Sequence, residues 1–269
     1  MAIKALFFDI DGTLVPFGEH GIPQEVKDAL ATLRSHGIKV FIATGRHPEW
    51  IDNINGVEFD GYVVTNGSMC LLADKKTCVF KHCIPQEDIS RLINFLPSCD
   101  MPIVVVPADG GIFITHQNET SEEVYKILRI PFTPVKPIEE AAGKDVVQLM
   151  AFGSAQERTD SGIFKTILLN CESTSWSPEF VDIVPKGSNK WIGVEKLAAH
   201  FGITMKEVAA FGDGGNDIGM ISHAGMGIAM GNAADDVKAV ANYVTTDVTD
   251  HGIVNALSYL FPDILIRNI

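Results

Sequence analysis

A chain of 269 residues, 46% of them hydrophobic, has room for one large domain or two modest ones around a well-buried core. Its formal charge of -13 argues against the clustered Lys and Arg surface with which proteins grip nucleic-acid backbones, so no nucleic-acid partner is expected. No run approaches the roughly 18 apolar residues of a membrane span, and the opening MAIKALFF is too short for a secretory signal, so the sequence reads as cytoplasmic. Five cysteines with no C-x-x-C pair fit reduced thiols in such a compartment. A net negative chain also repels phosphorylated small molecules at long range. Any phosphate site here needs a local cation and aligned backbone amides.

In chain order, the apolar run 5–10 predicts a strand. Residues 23–36 predict a helix, with Val26, Leu30 and Leu33 at helical spacing, Pro23 in the first turn and Gly37 just past the end. Residues 39–43 predict a second strand, followed by another helical stretch from about Pro48 and a third strand over 61–65. Short, nearly all-apolar strands alternating with helices are what a parallel sheet covered on both faces requires. The same grammar returns near the end, with a helix over 191–200 and strands over 208–211 and 227–230. Between them the pattern changes. A helix over 86–95 precedes strands over 103–106 and 111–115, which meet at Asp109-Gly110-Gly111 and suggest a hairpin. A helix from Glu122 and a strand over 146–152 follow. The expected organisation is an α/β fold with a Rossmann-like, doubly wound parallel sheet core (1–82 and 185–269) and an inserted α+β domain (83–184).

The sharpest motif is Asp9-Ile10-Asp11-Gly12-Thr13, where an apolar strand meets glycine, the carboxyl end at which doubly wound sheets bind ligands. Residues two apart on a strand face the same way, so both carboxylates can address one site. Two such charges side by side call for a cation or a shared proton, which suits a divalent metal with a nucleophile and an acid/base partner. A solvated strand-to-turn junction also uses Asp and Gly. Ala43-Thr44-Gly45-Arg46 after the second strand offers a hydroxyl and free amides for an anion, although an ordinary capped turn reads the same way. Gly212-Asp213-Gly214-Gly215-Asn216-Asp217 after another strand packs two carboxylates and an amide among glycines, hard oxygen donors of the kind Mg²⁺ takes. Lys186 and Lys190, around the start of the 191–200 helix, are the candidates for an offsetting cation.

Taken together, these elements resemble the haloacid dehalogenase superfamily of aspartyl phosphatases, and within it the Cof-type sugar-phosphate phosphatases with a class IIB cap. The resemblance runs over essentially the whole chain: the DxDGT box at residues 9–13, the T-G-R turn at 44–46, the lysine, and the GDGxND box at 212–217. The family lysine stands in a Ser-Lys-Gly context, whereas Asn189 and Trp191 flank Lys190 here. Lys190 keeps the family's distance to Asp213, and Lys186 remains the alternative.

The resemblance implies a phosphomonoester hydrolase of small phosphorylated metabolites, with sugar phosphates the default, Mg²⁺ as cofactor and no obligate protein partner. By analogy Asp9 is the nucleophile and Asp11 the acid/base. Asp9, the Asp11 carbonyl and Asp213 hold the metal, with Asp217 orienting ligands from behind. Ile10, Thr44, Gly45, Arg46, Lys190 and Asn216 bind the phosphoryl group. The inserted domain is expected to read the leaving group; His116 and Trp176 lie in it, and substrate contact, core packing and solvation are equally open readings of both. A phosphomutase, or a non-catalytic phosphate-responsive sensor phosphorylated on Asp9, are the alternatives. The thirty or so residues between Asp11 and Thr44 hold a core helix and leave little room for a mutase cap.

Overall fold

The computed structural model describes residues 2–17, 19, 21–128 and 131–265, with backbone alone for 128 and 175–177. The chain divides into two compact units, Met1–Phe80 with Asn189–Ile269, and the inserted Lys81–Ser188. The first unit opens with β1 (Ala5–Phe8), α1 (Gln24–Ser35), β2 (Lys39–Ala43), β3 (Gly61–Val64), β4 (Met69–Leu72) and β5 (Cys78–Lys81). Helix α1 buries Val26, Ala29, Leu30 and Leu33 on one stripe. It ends where Gly37 takes φ +86°, which turns its amide onto the Arg34 carbonyl and that of Ile38 onto Leu33.

The second helical stretch expected after β2 does not form. Pro48–Trp50 makes a single 3₁₀ turn capped by His47, and an irregular segment runs on to β3. Pro48 suits a first turn, but Asn53, Asn55 and Gly56 follow at once, and these residues favour turns over helix propagation. The β4–β5 hairpin, also not expected, extends the sheet on the β3 side, with β4 antiparallel to β3.

The inserted unit holds α2 (Gln86–Phe95), β6 (Ile103–Pro107), β7 (Phe113–Ile114), α3 (Glu119–Leu128), β8 (Val146–Phe152), α4 (Ala155–Asp160), β9 (Cys171–Ser177) and β10 (Phe180–Pro185). Its five strands form an antiparallel sheet in the order β7-β6-β8-β10-β9. The register aligns Phe113, Val105, Leu149 and Ile183 in one row. That row packs with Ile89 and Leu92 of α2 and with Ile163 and Leu168 into one apolar core. The expected hairpin is present as β6 and β7. The side chain of Trp176 lies outside the described residues.

The first unit resumes with α5 (Lys190–His200), β11 (Val208–Gly212), α6 (Ile218–His223), β12 (Met226–Ala229), α7 (Asp235–Val240), β13 (Tyr243–Val244), α8 (Gly252–Leu260) and α9 (Pro262–Leu265). Its sheet runs β13-β12-β11-β1-β2-β3-β4-β5, parallel from β13 through β3. The sheet is apolar on both faces. Phe7 stacks on Phe41 at 4.5 Å and Phe8 on Phe211 at 4.4 Å, all four fully buried and each contributing roughly 1.5–3 kcal/mol. The chain leaves β1 towards β2 and later returns to place β11 on the other side of β1. That reversal of strand order opens a crevice at the strand ends, where open α/β sheets take their ligands. No helix among the described residues is long and apolar enough to cross a membrane.

Candidate active site

The register of the sheet brings the sequence motifs to one place. Phe8 lies beside both Phe211 and Ile42, so Asp9, Gly212-Asp213 and Ala43-Thr44 leave the sheet side by side. The main chain turns sharply after Asp9: the amides of Thr13, Leu14 and Val15 all donate to the Ile10 carbonyl, and Gly12 sits at φ +83°. A Cβ on Gly12 would stand 2.3 Å from Asp213 Oδ2 and 2.6 Å from the exposed Phe17 ring, so this close approach requires glycine. Asn232 Nδ2 donates to the Gly12 carbonyl at 2.9 Å and ties the loop down.

Lys190 Nζ donates to Asp9 Oδ1 and to Asp217 Oδ1, both at 2.6 Å, with the lysine 1% exposed. Lys186 instead donates to the Leu169 carbonyl in the inserted unit, so Lys190 is the lysine at the carboxylates. Asn189 is the N-cap of α5, its Oδ1 accepting from the Ile192 amide at 3.0 Å, a task for which asparagine serves as well as serine. Asp217 is fully buried, and its other oxygen accepts from the amides of Asp213 and Gly214. Asp213 Oδ1 accepts from Thr13 Oγ1 at 2.7 Å.

Arg46 Nε and NH2 donate to the two oxygens of Asp11, both at 2.7 Å, and NH1 donates to the Trp50 carbonyl. The guanidinium that sequence reasoning placed on phosphate is thus engaged with Asp11. Thr44 Oγ1 accepts from the Arg46 amide at 3.1 Å. Asn216 Nδ2 donates to Oδ1 of Asn66, a residue no motif had singled out. The signal for it was an Asn-Gly pair directly after an apolar strand. Thr65 and Asn66 both take left-handed backbone, at φ +50° and +52°, and each such residue carrying a Cβ costs roughly 1–2 kcal/mol. Ile10 points into the core, its side chain fully buried. His116 in the inserted unit pairs with Asp100 at 2.9 Å.

The carboxylates at this site crowd one another. Carboxylate oxygens of Asp9, Asp213 and Asp217 lie within 4.8 Å of one another. Burial, followed by the nearby Asp217, Asp213 and Asp11 charges, raises Asp9 well above the usual carboxylate range in spite of Lys190. Burial pushes Asp213 up to about 6, opposed by the Thr13 hydrogen bond. Burial alone would lower Lys190, but Asp217 and Asp9 outweigh it and hold the lysine charged. Asp217 has its oxygens committed to Lys190 and two amides, so Asp9 and Asp213 are the pair left to address a cation. Hard oxygen donors that crowd one another suit a small divalent ion.

A family model described as haloacid dehalogenase-like hydrolase matches residues 6–257. The chain belongs to this family. The HAD subclass IIB sugar phosphatase BT4131 is 38% identical, covers 95% of this chain and 98% of its own, and superposes with a TM-score of 0.84. BT1666 from Bacteroides thetaiotaomicron, a phosphatase of the same superfamily, is 33% identical with a TM-score of 0.85, over 96% and 95% of the two chains. The putative phosphatase YkrA of Bacillus subtilis is 28% identical over 97% of this chain and 98% of its own. The pyridoxal phosphate phosphatase YbhA of Escherichia coli is 29% identical over 94% and 97%. This HAD hydrolase is therefore a phosphatase, with a Rossmann-like core and an inserted cap domain. HAD hydrolases generally use a divalent metal, in keeping with its acidic cluster.

Proposed function

We propose that this HAD phosphatase is a Mg²⁺-dependent hydrolase of small phosphomonoesters, sugar phosphates foremost, working through an aspartyl-phosphate on Asp9. The observation that carries the reading is the grip of Lys190 on Asp9. It ties down Oδ1 and leaves Oδ2 as the nucleophile, at the end of β1 and beside Asp213. Similarity to a sugar phosphatase supports the substrate class, and the cap is the domain we assign to reading the leaving group.

Asp9 Oδ2 attacks phosphorus, the ester P–O bond breaks, and Asp11 gives its proton to the departing oxygen. Water then attacks the same phosphorus while Asp11 takes a proton from it, and the bond to Asp9 breaks to restore the carboxylate. Asp11 is aimed by Arg46, and it must release one of the two guanidinium hydrogen bonds to reach the leaving oxygen. Lys190, Thr44, Asn216 and the amides of Ile10 and Gly45 would meet the phosphoryl oxygens, where preorganised charge supplies most of the help in phosphoryl transfer. Asp9, the Asp11 carbonyl and Asp213 would hold Mg²⁺, with Asp217 fixing the Asp213 loop from behind. When bound, the ion supplies positive charge that relieves repulsion between the carboxylate nucleophile and the phosphate dianion.

Phosphate release from a panel of sugar phosphates, pyridoxal phosphate and an aryl phosphate tests the reading, with and without Mg²⁺ and with Asp9→Asn alongside. Turnover on a sugar phosphate that needs Mg²⁺ and vanishes in Asp9→Asn is expected. Activity that survives Asp9→Asn overturns the mechanism, and a preference for non-sugar esters overturns the substrate class.

A further inference from the structure

The turn after β3 holds the phosphate-facing side of the site together. Thr65, Asn66 and Gly67 are three successive left-handed residues, and the first is β-branched, a conformation L residues avoid unless their surroundings enforce it. Those surroundings are three segments of the site. The Thr65 and Asn66 amides donate to the carbonyls of Arg46 and Thr44, both at 3.1 Å, zipping this turn onto the Thr44–Gly45–Arg46 turn. A Cβ on Gly45 would lie 3.0–3.3 Å from the Asn66 amide group, so that amide lies against Gly45. On the other side, a Cβ on Gly67 would meet the Asn189 carbonyl at 1.9 Å, so the turn is also wedged against the start of the helix that carries Lys190. Asn216, the third contact, donates to Asn66 Oδ1 at 3.0 Å. The Thr65 hydroxyl is fully buried with no hydrogen-bond partner among the described residues. A turn that served only to end a strand would gain nothing from this strain, and strain of this kind gathers where a geometry is needed for function.

We infer that Asn66 is a positioning residue of the phosphate subsite: its side-chain carbonyl fixes the amide of Asn216, and the left-handed turn exists to hold it there. The inference rests on the reading that Asn216 meets the phosphoryl group. Asn66 itself need not touch substrate. Its task is to leave Asn216 with one orientation of its amide before the phosphate arrives, which shows in affinity for phosphate.

The experiment measures inhibition by inorganic phosphate, together with kcat and KM, for wild type, Asn66→Gly, Asn216→Ala and the double variant. Glycine keeps the left-handed backbone while removing the acceptor, and Asn66→Ser provides a second truncation, too short to reach Asn216, should the glycine variant lose its fold in a thermal melt. Each single change is expected to weaken phosphate inhibition about tenfold, as loss of one good hydrogen bond does. The double variant should be no weaker than Asn216→Ala alone, because contacts in series are not additive. Multiplicative losses in the double variant, or phosphate affinity unchanged by both Asn66 substitutions while Asn216→Ala weakens it, overturn the inference and leave the site reading standing. If Asn216→Ala changes nothing, the assignment of Asn216 to phosphate falls and the inference falls with it.

Discussion

Both units bury a carboxylate completely, and they put it to opposite uses. In the inserted unit Asp88 is satisfied within its own neighbourhood, by Arg91 one turn along α2, by the amide and side chain of Asn170, and by the Cys171 thiol. Among the described residues that network ties α2 to residues 167–171, where the chain enters β9, and includes none of the clustered motif carboxylates. In the first unit Asp217 ties up two amides of its own loop and then Lys190, and Lys190 reaches on to Asp9. The same burial therefore makes a rivet in one unit and one end of a charged relay in the other. What separates them is whether the chain of partners ends in the core or at a group with an oxygen left over.

The largest effect expected from breaking this contrast is at Lys190. Lys190→Met leaves Asp9 and Asp217 facing each other without a cation, which should lower kcat by about 10²–10³-fold and stability by roughly 3–5 kcal/mol. Assays and urea melts with and without Mg²⁺ check both. Asp88→Ala is the matched control. It strands Arg91 and the Asn170 amide and should cost a comparable ~3–5 kcal/mol, with kcat per folded molecule unchanged below the melting transition. Loss of kcat in folded Asp88→Ala would mean that the two networks are not separable in function.

A third buried group sharpens the point because it has no opposite charge to lean on. Burial pushes His47 down to about 4, with its Nδ1 accepting from the Glu49 amide. The unfolded chain binds this proton near the ordinary imidazole value of 6.5 while the folded chain refuses it until about 4. The contribution of His47 to stability is therefore full above pH 6.5 and is lost as the pH drops through that window, by on the order of 3 kcal/mol, while the raised Asp9 and Asp213 act in the opposite sense. Urea midpoints from pH 7 to 4 for wild type and His47→Gln should diverge, with the variant losing less. Smallest is the effect of Arg46→Lys, which exchanges a two-pronged grip on Asp11 for a single point of contact. Turnover of alkyl esters, whose leaving oxygen needs a proton, should fall about 10–100-fold, while that of a nitrophenyl ester moves little. Equal losses on both would show that Arg46 meets phosphate rather than aiming Asp11.

The parts of this architecture that follow from residue type and spacing were legible beforehand. Strands β1, β2 and β11 announce themselves as apolar runs that end in Asp or Thr-Gly, and a parallel sheet can only gather such ends on one edge. Helix α2 and strand β8 were readable over their full lengths for the same reason. Pro48 misled, because it suits a helix start, yet the asparagines and glycine behind it stop propagation. Arg46 could be placed at the strand ends but its partner could not, since the choice between a phosphate and a carboxylate 35 residues earlier depends on a side-chain direction that no periodicity encodes. Asn66 left a trace in its Asn-Gly pair, but the conformation of Thr65 was invisible in a stronger sense. Nothing in a β-branched residue suggests left-handed backbone, and only the three neighbouring segments that enforce it explain the conformation.

The central claim, a phosphoryl group carried on Asp9, is tested most directly by quenching the enzyme in acid during turnover of a fast aryl phosphate with Mg²⁺ and locating the added phosphate in proteolytic peptides by mass spectrometry. The account predicts a phosphorylated peptide spanning residues 5–27, with the group on Asp9 and absent in Asp9→Asn. Active enzyme that carries no phosphate at any quench time, even when Asp11→Asn slows the second step, or carries it on another residue, would contradict it.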